Sequence, residues 1–182
     1  MRALIVYESM YGNTRAVATD IAAGLGAAHD VTLMPVCRAT RELVAAADLI
    51  VVGGPTHLHG MSTAASRRMA AEAARKQGSG LVLDPDADGP GLRVWLEGLG
   101  AGEALAAAFD TRRSGPAVFT GRASRRISRL VARGGHRLLV APESFLVSNQ
   151  EMLLGGEAER ARSWGALIGE AAYAVFVPEK QS

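Results

Sequence analysis

Residues 3–14 read Ala-Leu-Ile-Val-Tyr-Glu-Ser-Met-Tyr-Gly-Asn-Thr, and this stretch decides the fold. Its first part, residues 3–7, is a short apolar run of the kind found in strands that are buried on both faces. The following residues are small or polar, with Gly12 among them, and apolar side chains then recur with helical spacing from residue 17 to residue 25. The pattern predicts a strand, a tight loop and a helix, in that order.

The loop between this strand and this helix is a candidate binding site for an anion. The N-terminus of a helix offers unpaired backbone N–H groups and the positive end of the helix dipole. Ser9, Tyr11 and Thr14 can add hydroxyl donors, and Asn13 can add an amide donor, without any cation. We therefore expect residues 9–14 to bind a phosphate group. The alternative is an ordinary strand-to-helix turn capped by Asn13.

Predicted strands and helices alternate along the rest of the chain. Further strands are predicted at residues 31–36, 48–54, 105–110 and 137–142, the last continuing at 144–147 after a break at Pro142. Helices are predicted at residues 15–25, 40–47, 63–76, 92–99, 124–132 and 157–175. This alternation predicts an α/β fold with a doubly wound five-stranded parallel sheet in the strand order 2-1-3-4-5. The ligand site of such a sheet lies outside the carboxyl ends of the first and third strands.

The length of 182 residues fits one domain, residues 1–182. Within it, residues 78–104 are irregular and are interpreted as an insertion, because the alternation resumes after them. The N-terminus lacks the pattern of a signal peptide, and no apolar run is long enough to cross a membrane. Cys37 is the single cysteine, so no internal disulfide forms, and we expect it to be a buried small residue in a cytoplasmic protein.

The phosphate-loop candidate resembles that of the flavodoxins, in which a Ser/Thr-x-Thr-Gly-Asn-Thr-like run opens the first helix. The matching residues are Ser9, Gly12, Asn13 and Thr14. Met10 lies inside the run, and Tyr11 stands where many flavodoxins have threonine, which is similar to the flavodoxin-like quinone reductases. The resemblance implies a flavodoxin-like fold and an FMN cofactor whose phosphate is bound by Ser9, Met10, Tyr11, Gly12, Asn13 and Thr14.

Two further loops resemble those that surround the flavin ring in this family. In the loop after the third strand, Pro55, Thr56 and Gly60 match, and the ring-packing positions hold His57, Leu58 and His59 in place of a large aromatic residue. The alternatives for this loop are a capped turn with solvated histidines, or a metal site, because His-x-His is a recurrent ligand pair. No acidic residue or cysteine lies within five residues of the pair, and we predict no metal.

The end of the fourth strand, Phe109-Asp110-Thr111-Arg112, also resembles flavodoxin-domain proteins. The resemblance implies that Asp110, Thr111 and Arg112 contact the flavin. Arg112 or Arg113 near the pyrimidine edge of a flavin would stabilise negative charge on the reduced ring. The alternative is an arginine on an exposed loop. Residues 142–165 resemble the end of bacterial flavodoxin-domain proteins, so the resemblance extends from residue 3 to about residue 175.

Charge is unevenly distributed, although the net charge is only +2. Residues 111–137 contain eight arginines and no acidic residue, whereas residues 78–110 contain six acidic residues and one arginine, Arg93. Four arginines lie in the predicted helix at 124–132 or directly after it, and we expect them to form an exposed stripe: Arg125, Arg126, Arg129 and Arg133. The stripe is either a docking surface for an acidic partner or a nucleotide phosphate, or a solvated helix face balanced by the acidic loop. Nucleic acid is not expected, because no aromatic residue lies between the arginines.

The function that these observations predict is FMN binding for electron transfer, with a redox partner protein or a small-molecule electron donor or acceptor. An FMN-dependent NAD(P)H:quinone or flavin reductase is the first alternative. A flavodoxin-fold binding or regulatory module that has lost the flavin is the second. No residue is assigned a catalytic role.

Overall fold

The computed structural model describes residues 1–176, which form one sheet with helices on both faces. Its strands are β1 (Arg2–Tyr7), β2 (Asp30–Pro35), β3 (Leu49–His57), β4 (Gly60–Met61), β5 (Leu105–Arg113), β6 (Arg137–Leu138) and β7 (Glu143–Val147). Its helices are α1 (Asn13–Leu25), α2 (Arg41–Ala46), α3 (Ala64–Arg75), α4 (Leu92–Glu97), α5 (Ala117–Thr120), α6 (Ala123–Arg133) and α7 (Glu157–Phe176), with a 3₁₀ turn at Val36–Arg38. Each predicted helix is present, with ends within two residues of the prediction.

The sheet has the predicted strand order. Parallel pairing runs β2-β1-β3-β5, and the fifth position is shared by β6 and β7, which pair with the beginning and the end of β5. The fifth strand is thus broken around Pro142, as expected, although regular strand structure stops at Leu138 and not at residue 142. β4 adds a short antiparallel pairing to the end of β3.

Two strands extend further than their apolar runs. β3 continues to His57 and β5 to Arg113, so each strand ends three residues beyond its predicted end, at residues 54 and 110 respectively. The cause is ladder pairing, because Pro55 pairs with Thr111 and β7 pairs with β5 as far as Arg113. These extensions carry polar side chains from the sheet into the region beyond the apolar core.

The core has two layers, one on each face of the sheet. On one face, Ile5 and Val51 pack beneath α1 and α7, and Phe109, Phe145 and Trp164 meet edge to face with ring centroids 6.0–6.3 Å apart. The residues between them along each strand point to the other face, beneath α2, α4 and α6.

The helices α1 and α7 touch at two glycines. A Cβ atom at Gly24 would overlap the carbonyl group of Arg162, and one at Gly165 would overlap the carbonyl oxygen of Ile21. The two backbones therefore lie closer together than any side chain would allow. This contact joins the first and last helices of the described chain over one half of the core.

The segment of residues 78–104 packs beside the sheet. It contains α4, and Glu8 anchors it: Glu8 Oε2 accepts hydrogen bonds from Ser62 Oγ and from the Leu92 amide, both at 2.7 Å. Glu8 Oε1 lies 3.2 Å from Arg67 Nε, and both side chains are almost buried. Within the described chain, no helix is both long and apolar enough to cross a membrane.

The prediction that Cys37 is buried is wrong, since its side chain is exposed. It lies in the 3₁₀ turn that follows β2, where the preceding Val36 takes the buried position. A regular alternation of inward and outward side chains does not continue through such a turn.

Candidate functional site

A cavity of about 420 Å³ lies at the carboxyl ends of β1, β3 and β5, within the size range of small-molecule and cofactor sites. The predicted site residues that line it are Met10, Tyr11, Asn13, Thr14, Pro55, Thr56, His57, Leu58, His59, Thr111 and Arg112. The predicted residues that do not line it are Ser9, Gly12, Gly60 and Asp110. The structure thus brings together three loops that are far apart in the chain. No residue of the segment 78–104, all of which is described, lines the cavity.

The loop before α1 leaves the N-terminus of that helix without a side-chain cap. Gly12 precedes the helix with φ of 89°, a left-handed conformation that glycine adopts without strain, and it cannot cap with a side chain. Ser9 Oγ accepts a hydrogen bond of 3.1 Å from the Gly12 amide, which closes the loop and leaves the serine hydroxyl hydrogen available. The first N–H groups of α1 are therefore available to an anion.

The other polar side chains of this loop brace the cavity walls. Tyr11 donates its hydroxyl to the carbonyl of Ala70 in α3 at 2.9 Å, and Asn13 Nδ2 donates to the carbonyl of Glu151 at 2.8 Å. Thr14 and Thr111 share a hydrogen bond of 2.7 Å between their hydroxyls. One hydroxyl of that pair keeps its hydrogen for another acceptor, because the bond uses only one.

The backbone around the cavity is strained. Leu58, His59 and Glu151 have φ of 46°, 73° and 55°, and they are the non-glycine residues with positive φ in the described chain. All three line the cavity. A residue held in this region costs of order 1–3 kcal/mol, and such residues cluster at functional sites.

A glycine in the next loop supports the strained turn of Leu58 and His59. Gly121, with φ of 76°, forms an isolated β-bridge with His59. A Cβ atom at Gly121 would overlap three backbone atoms of His59. The turn can hold its position only because residue 121 has no side chain.

Asp110 is completely buried behind the cavity wall. Its Oδ2 accepts hydrogen bonds from Thr56 Oγ1 at 3.0 Å and from the Ser124 amide at 2.8 Å, and Thr56 Oγ1 in turn accepts from the Ala123 amide at 2.9 Å. Burial raises the pKa of Asp110. Hydrogen bonds to the carboxylate oppose this rise, and the bond from the Ser124 amide has the largest opposing effect. Asp110 therefore positions Thr56 and the start of α6, and does not itself reach the cavity.

Arg112 is the buried cation of the cavity, with 8% of its surface exposed, so it is not the exposed loop arginine of the alternative interpretation. Its Nη1 donates to the carbonyl of Gly115 at 2.9 Å and to Thr120 Oγ1 at 2.7 Å. Its Nε is buried without an acceptor, and Arg112 forms no ion pair within residues 1–176. By contrast, the neighbouring Arg113 is exposed and pairs with Glu151 at 2.8 Å. A buried guanidinium without an ion-pair partner in the cavity wall is a candidate contact for an electron-rich or anionic group.

His57 is partly buried, and its Nδ1 lies 3.1 Å from Ser66 Oγ. Burial is the main cause that lowers the pKa of His57, so the imidazole is neutral near pH 7. In the described chain, no group of three or more His, Cys, Asp or Glu side chains is placed to hold a metal ion.

Several lining residues were missed by sequence reasoning. They are Ser66, Met69 and Ala70 of α3, Arg113 at the end of β5, Phe119 and Thr120 of α5, Val147 of β7, and Glu151. Of these, only Arg113 had been considered, as an alternative to Arg112. Met69 and Phe119 are 59% and 73% exposed, and with Leu58, at 78%, they form an apolar rim. An exposed apolar rim around a cavity is typical of a site that covers an apolar ligand surface.

A model of the flavodoxin family matches residues 5–143. No curated protein matches the chain. Among solved structures, a flavodoxin from the Archaea is 18% identical, with 95% of this chain and 99% of that chain covered and a TM-score of 0.65. Flavodoxin 2 from Bacillus cereus is 20% identical, with coverages of 93% and 99% and a TM-score of 0.64. A WrbA-like protein from Agrobacterium tumefaciens is 19% identical, with coverages of 94% and 97% and a TM-score of 0.58. At these identities the structural likeness supports the fold alone.

Proposed function

The chain belongs to the flavodoxin family, and we therefore propose that it binds FMN in the cavity and acts as an electron carrier. Bound FMN supplies one- or two-electron redox chemistry at its isoalloxazine ring. The observation that carries the proposal is Arg112, a buried cation without an ion-pair partner that lines the cavity at the switch point of the sheet. The strained residues around the same cavity support it.

The phosphate of FMN is assigned to the loop of residues 9–14. The uncapped N-terminus of α1 supplies backbone donors, and the Thr14–Thr111 pair supplies a hydroxyl hydrogen. Ser9 does not line the cavity and instead closes the loop by accepting from the Gly12 amide. Asn13 and Tyr11 fix the loop to its neighbours and keep these donors in place.

The flavin ring is assigned to the space between the β3 turn and the end of β5. Leu58, Met69 and Phe119 supply apolar surface for the ring faces, and neutral His57 adds a group that can stack without adding charge. Arg112 favours negative charge on the reduced ring, which raises its reduction potential. Asp110 is proposed as a supporting residue and not as a contact, because its carboxylate is used by Thr56 and Ser124.

A carrier is proposed in preference to a reductase. Tyr11 and the Pro55-Thr56 loop were the features that suggested a reductase. The Tyr11 hydroxyl donates to the Ala70 carbonyl and the Thr56 hydroxyl to Asp110, so both serve contacts within the protein. A redox partner protein supplies or takes the electrons. A cytoplasmic location stays a prediction from the single cysteine.

The test is a titration of the purified apoprotein with FMN and with riboflavin, followed by flavin fluorescence and the visible spectrum. We expect FMN to bind at least tenfold more tightly than riboflavin, because the loop of residues 9–14 would contact the phosphate. Arg112→Gln is expected to weaken FMN binding by about tenfold, whereas the control Arg137→Gln, at an exposed position that does not line the cavity, stays within about threefold. A thermal melt of each apoprotein checks that both variants are folded.

Two results would contradict the proposal. A colourless protein that does not take up added FMN would exclude both the carrier and the reductase, and would favour the module without flavin. Rapid oxidation of NAD(P)H in the presence of a quinone, by the FMN-loaded protein alone, would assign a reductase instead of a carrier.

A further inference from the structure

We propose that a surface beside the cavity docks an acidic electron-transfer protein. This surface, the α5–α6 surface, consists of Val118, Phe119, Arg122, Arg125, Arg126 and Arg129. The inference rests on the proposed function, since a carrier must exchange electrons with a partner. It goes beyond that function by identifying where the partner binds and which charge it has.

The α5–α6 surface is continuous with the rim of the cavity. Phe119 and Thr120 line the cavity, and Gly121 forms its bridge with His59 in the strained turn. The amide of Ala123, at the start of α6, donates to Thr56 Oγ1 in the cavity wall. A protein seated on this surface therefore lies next to the mouth of the cavity, where electrons enter or leave.

The arginines of the surface share one face of α6 and its approach. Their spacing of three and four residues aligns them, and the buried Ile127 and Val131 take the opposite face. Arg122, Arg125, Arg126 and Arg129 are all exposed, and within residues 1–176 none of them forms an ion pair with a carboxylate. No acidic residue occurs between positions 111 and 137, so nothing in this segment neutralises them.

This arrangement is unfavourable for the isolated protein. Like charges repel at positions four apart in a helix, as in the pair Arg125–Arg129. Cations in the first turn of a helix also lie at the positive end of its dipole, and Arg125 and Arg126 do so. Carboxylates of a partner would relieve both repulsions at once. Charge complementarity therefore identifies the occupant as an acidic surface.

The apolar part of the surface favours a protein over a nucleic acid. Val118 and Phe119 are 78% and 73% exposed on the described chain. They form an apolar pair at one end of the arginines, and aromatic residues and arginine are both enriched in protein interfaces. Nucleic-acid surfaces instead place aromatic side chains among the cations, and no aromatic residue lies between Arg122 and Arg129.

The experiment measures binding of the FMN-loaded protein to a ferredoxin of strongly negative net charge, used as the probe, by calorimetry at low and at physiological salt. The test variant is Arg125→Gln/Arg126→Gln/Arg129→Gln. The matched control is Arg41→Gln/Arg75→Gln/Lys76→Gln, which removes the same charge from exposed positions elsewhere. Binding of duplex DNA and the affinity for FMN are measured for the same three proteins.

We expect salt to weaken ferredoxin binding. The affinity of the test variant for ferredoxin should be at least about tenfold lower than that of the unmodified protein, and the affinity of the control variant should stay within about twofold of it. The proposal is overturned by three results: no ferredoxin binding, equal losses in both variants, or tighter binding of duplex DNA than of ferredoxin at physiological salt. A protein that binds ferredoxin in the expected way but takes up no FMN would refute the proposed function and support the docking surface. The two failures are thus distinguishable.

Discussion

Replacing Gly121 by alanine tests whether the turn of Leu58 and His59 positions the flavin ring. Gly121 has φ of 76° and ψ of 179°, a conformation that is almost restricted to glycine. The added Cβ atom would also overlap the backbone of His59. Backbone atoms cannot escape by a change of rotamer, so the turn itself must move away from the cavity.

The matched control is Gly115→Ala, at another glycine with positive φ in the same connection. Gly115 has φ of 124°, and its added Cβ atom would lie 3.6 Å from Thr120 Cγ2, an ordinary contact. Both variants carry backbone strain of order 1–3 kcal/mol. Only Gly121→Ala also places its methyl group on the backbone of His59. Inserting a methyl group into a site without room for it costs about 1–3 kcal/mol in addition to the backbone strain. We expect this difference to appear in binding, because the strained turn can move without unfolding the sheet.

The assay is a titration of each apoprotein with FMN, followed by quenching of flavin fluorescence. A difference of about 1–3 kcal/mol predicts that Gly121→Ala binds FMN about 5–150-fold more weakly than Gly115→Ala. Thermal melts of both apoproteins establish that the turn and not the fold has changed. If the two variants bind FMN within about twofold of each other, the turn does not position the ring and the reasoning fails.

Three further predictions concern stability, measured as the free energy of unfolding in urea. The free energy of unfolding of Gly165→Ala is expected to be about 1–3 kcal/mol lower than that of Gly169→Ala. The new methyl group meets the backbone of Ile21 at the first site and only the movable imidazole of His29 at the second. Equal stabilities would contradict the close helix contact. Asp110→Asn tests the raised pKa of the buried carboxyl group. The folded state holds the Asp110 proton more tightly than the unfolded state, so the unmodified protein loses stability as pH rises above about 4 and through the folded pKa of Asp110. The variant should lack this loss between about pH 4 and 8. Parallel pH profiles of the two proteins would refute the prediction. Glu8→Gln is expected to cost about 3–5 kcal/mol, because it leaves the charge of Arg67 without its buried partner. Arg67→Met also removes the donor to the Ala87 and Gly89 carbonyls, so the double variant is expected to lose less than the sum of the two single variants, and additive losses would exclude the ion pair as the cause.

The strand order and the helices could be predicted because they depend on patterns that the sequence displays directly. The apolar run of residues 3–7 and its counterparts specify buried parallel strands, and the helical spacing after each specifies the crossover helices. The flavodoxin resemblance, carried by Gly12, Asn13 and Thr14, is confirmed by the family match. That these residues bind FMN stays a prediction.

The details of the site could not be predicted, because they arise from contacts between distant segments. The left-handed backbone of Leu58 has no sequence signal, because leucine does not favour it, and histidine at position 59, although enriched in this conformation, does not specify it. Met69 and Phe119 reach the cavity only through the placement of α3 and α5, and α5 itself is one turn long. Asp110 was expected to contact the flavin, but ladder pairing and its bonds to Thr56 turn it away from the cavity.

The close contact of α1 with α7 has a consequence for synthesis of the protein on the ribosome. Helices α1 and α7 together cover one face of the sheet, and α7 leaves the ribosome after every other described element. Until then a nascent chain exposes a continuous apolar surface that includes Ile5, Ile21 and Phe109, and closing it requires joining segments from opposite ends of the fold. Chains that stall or terminate before residue 157 therefore display the surface that chaperones and proteases bind.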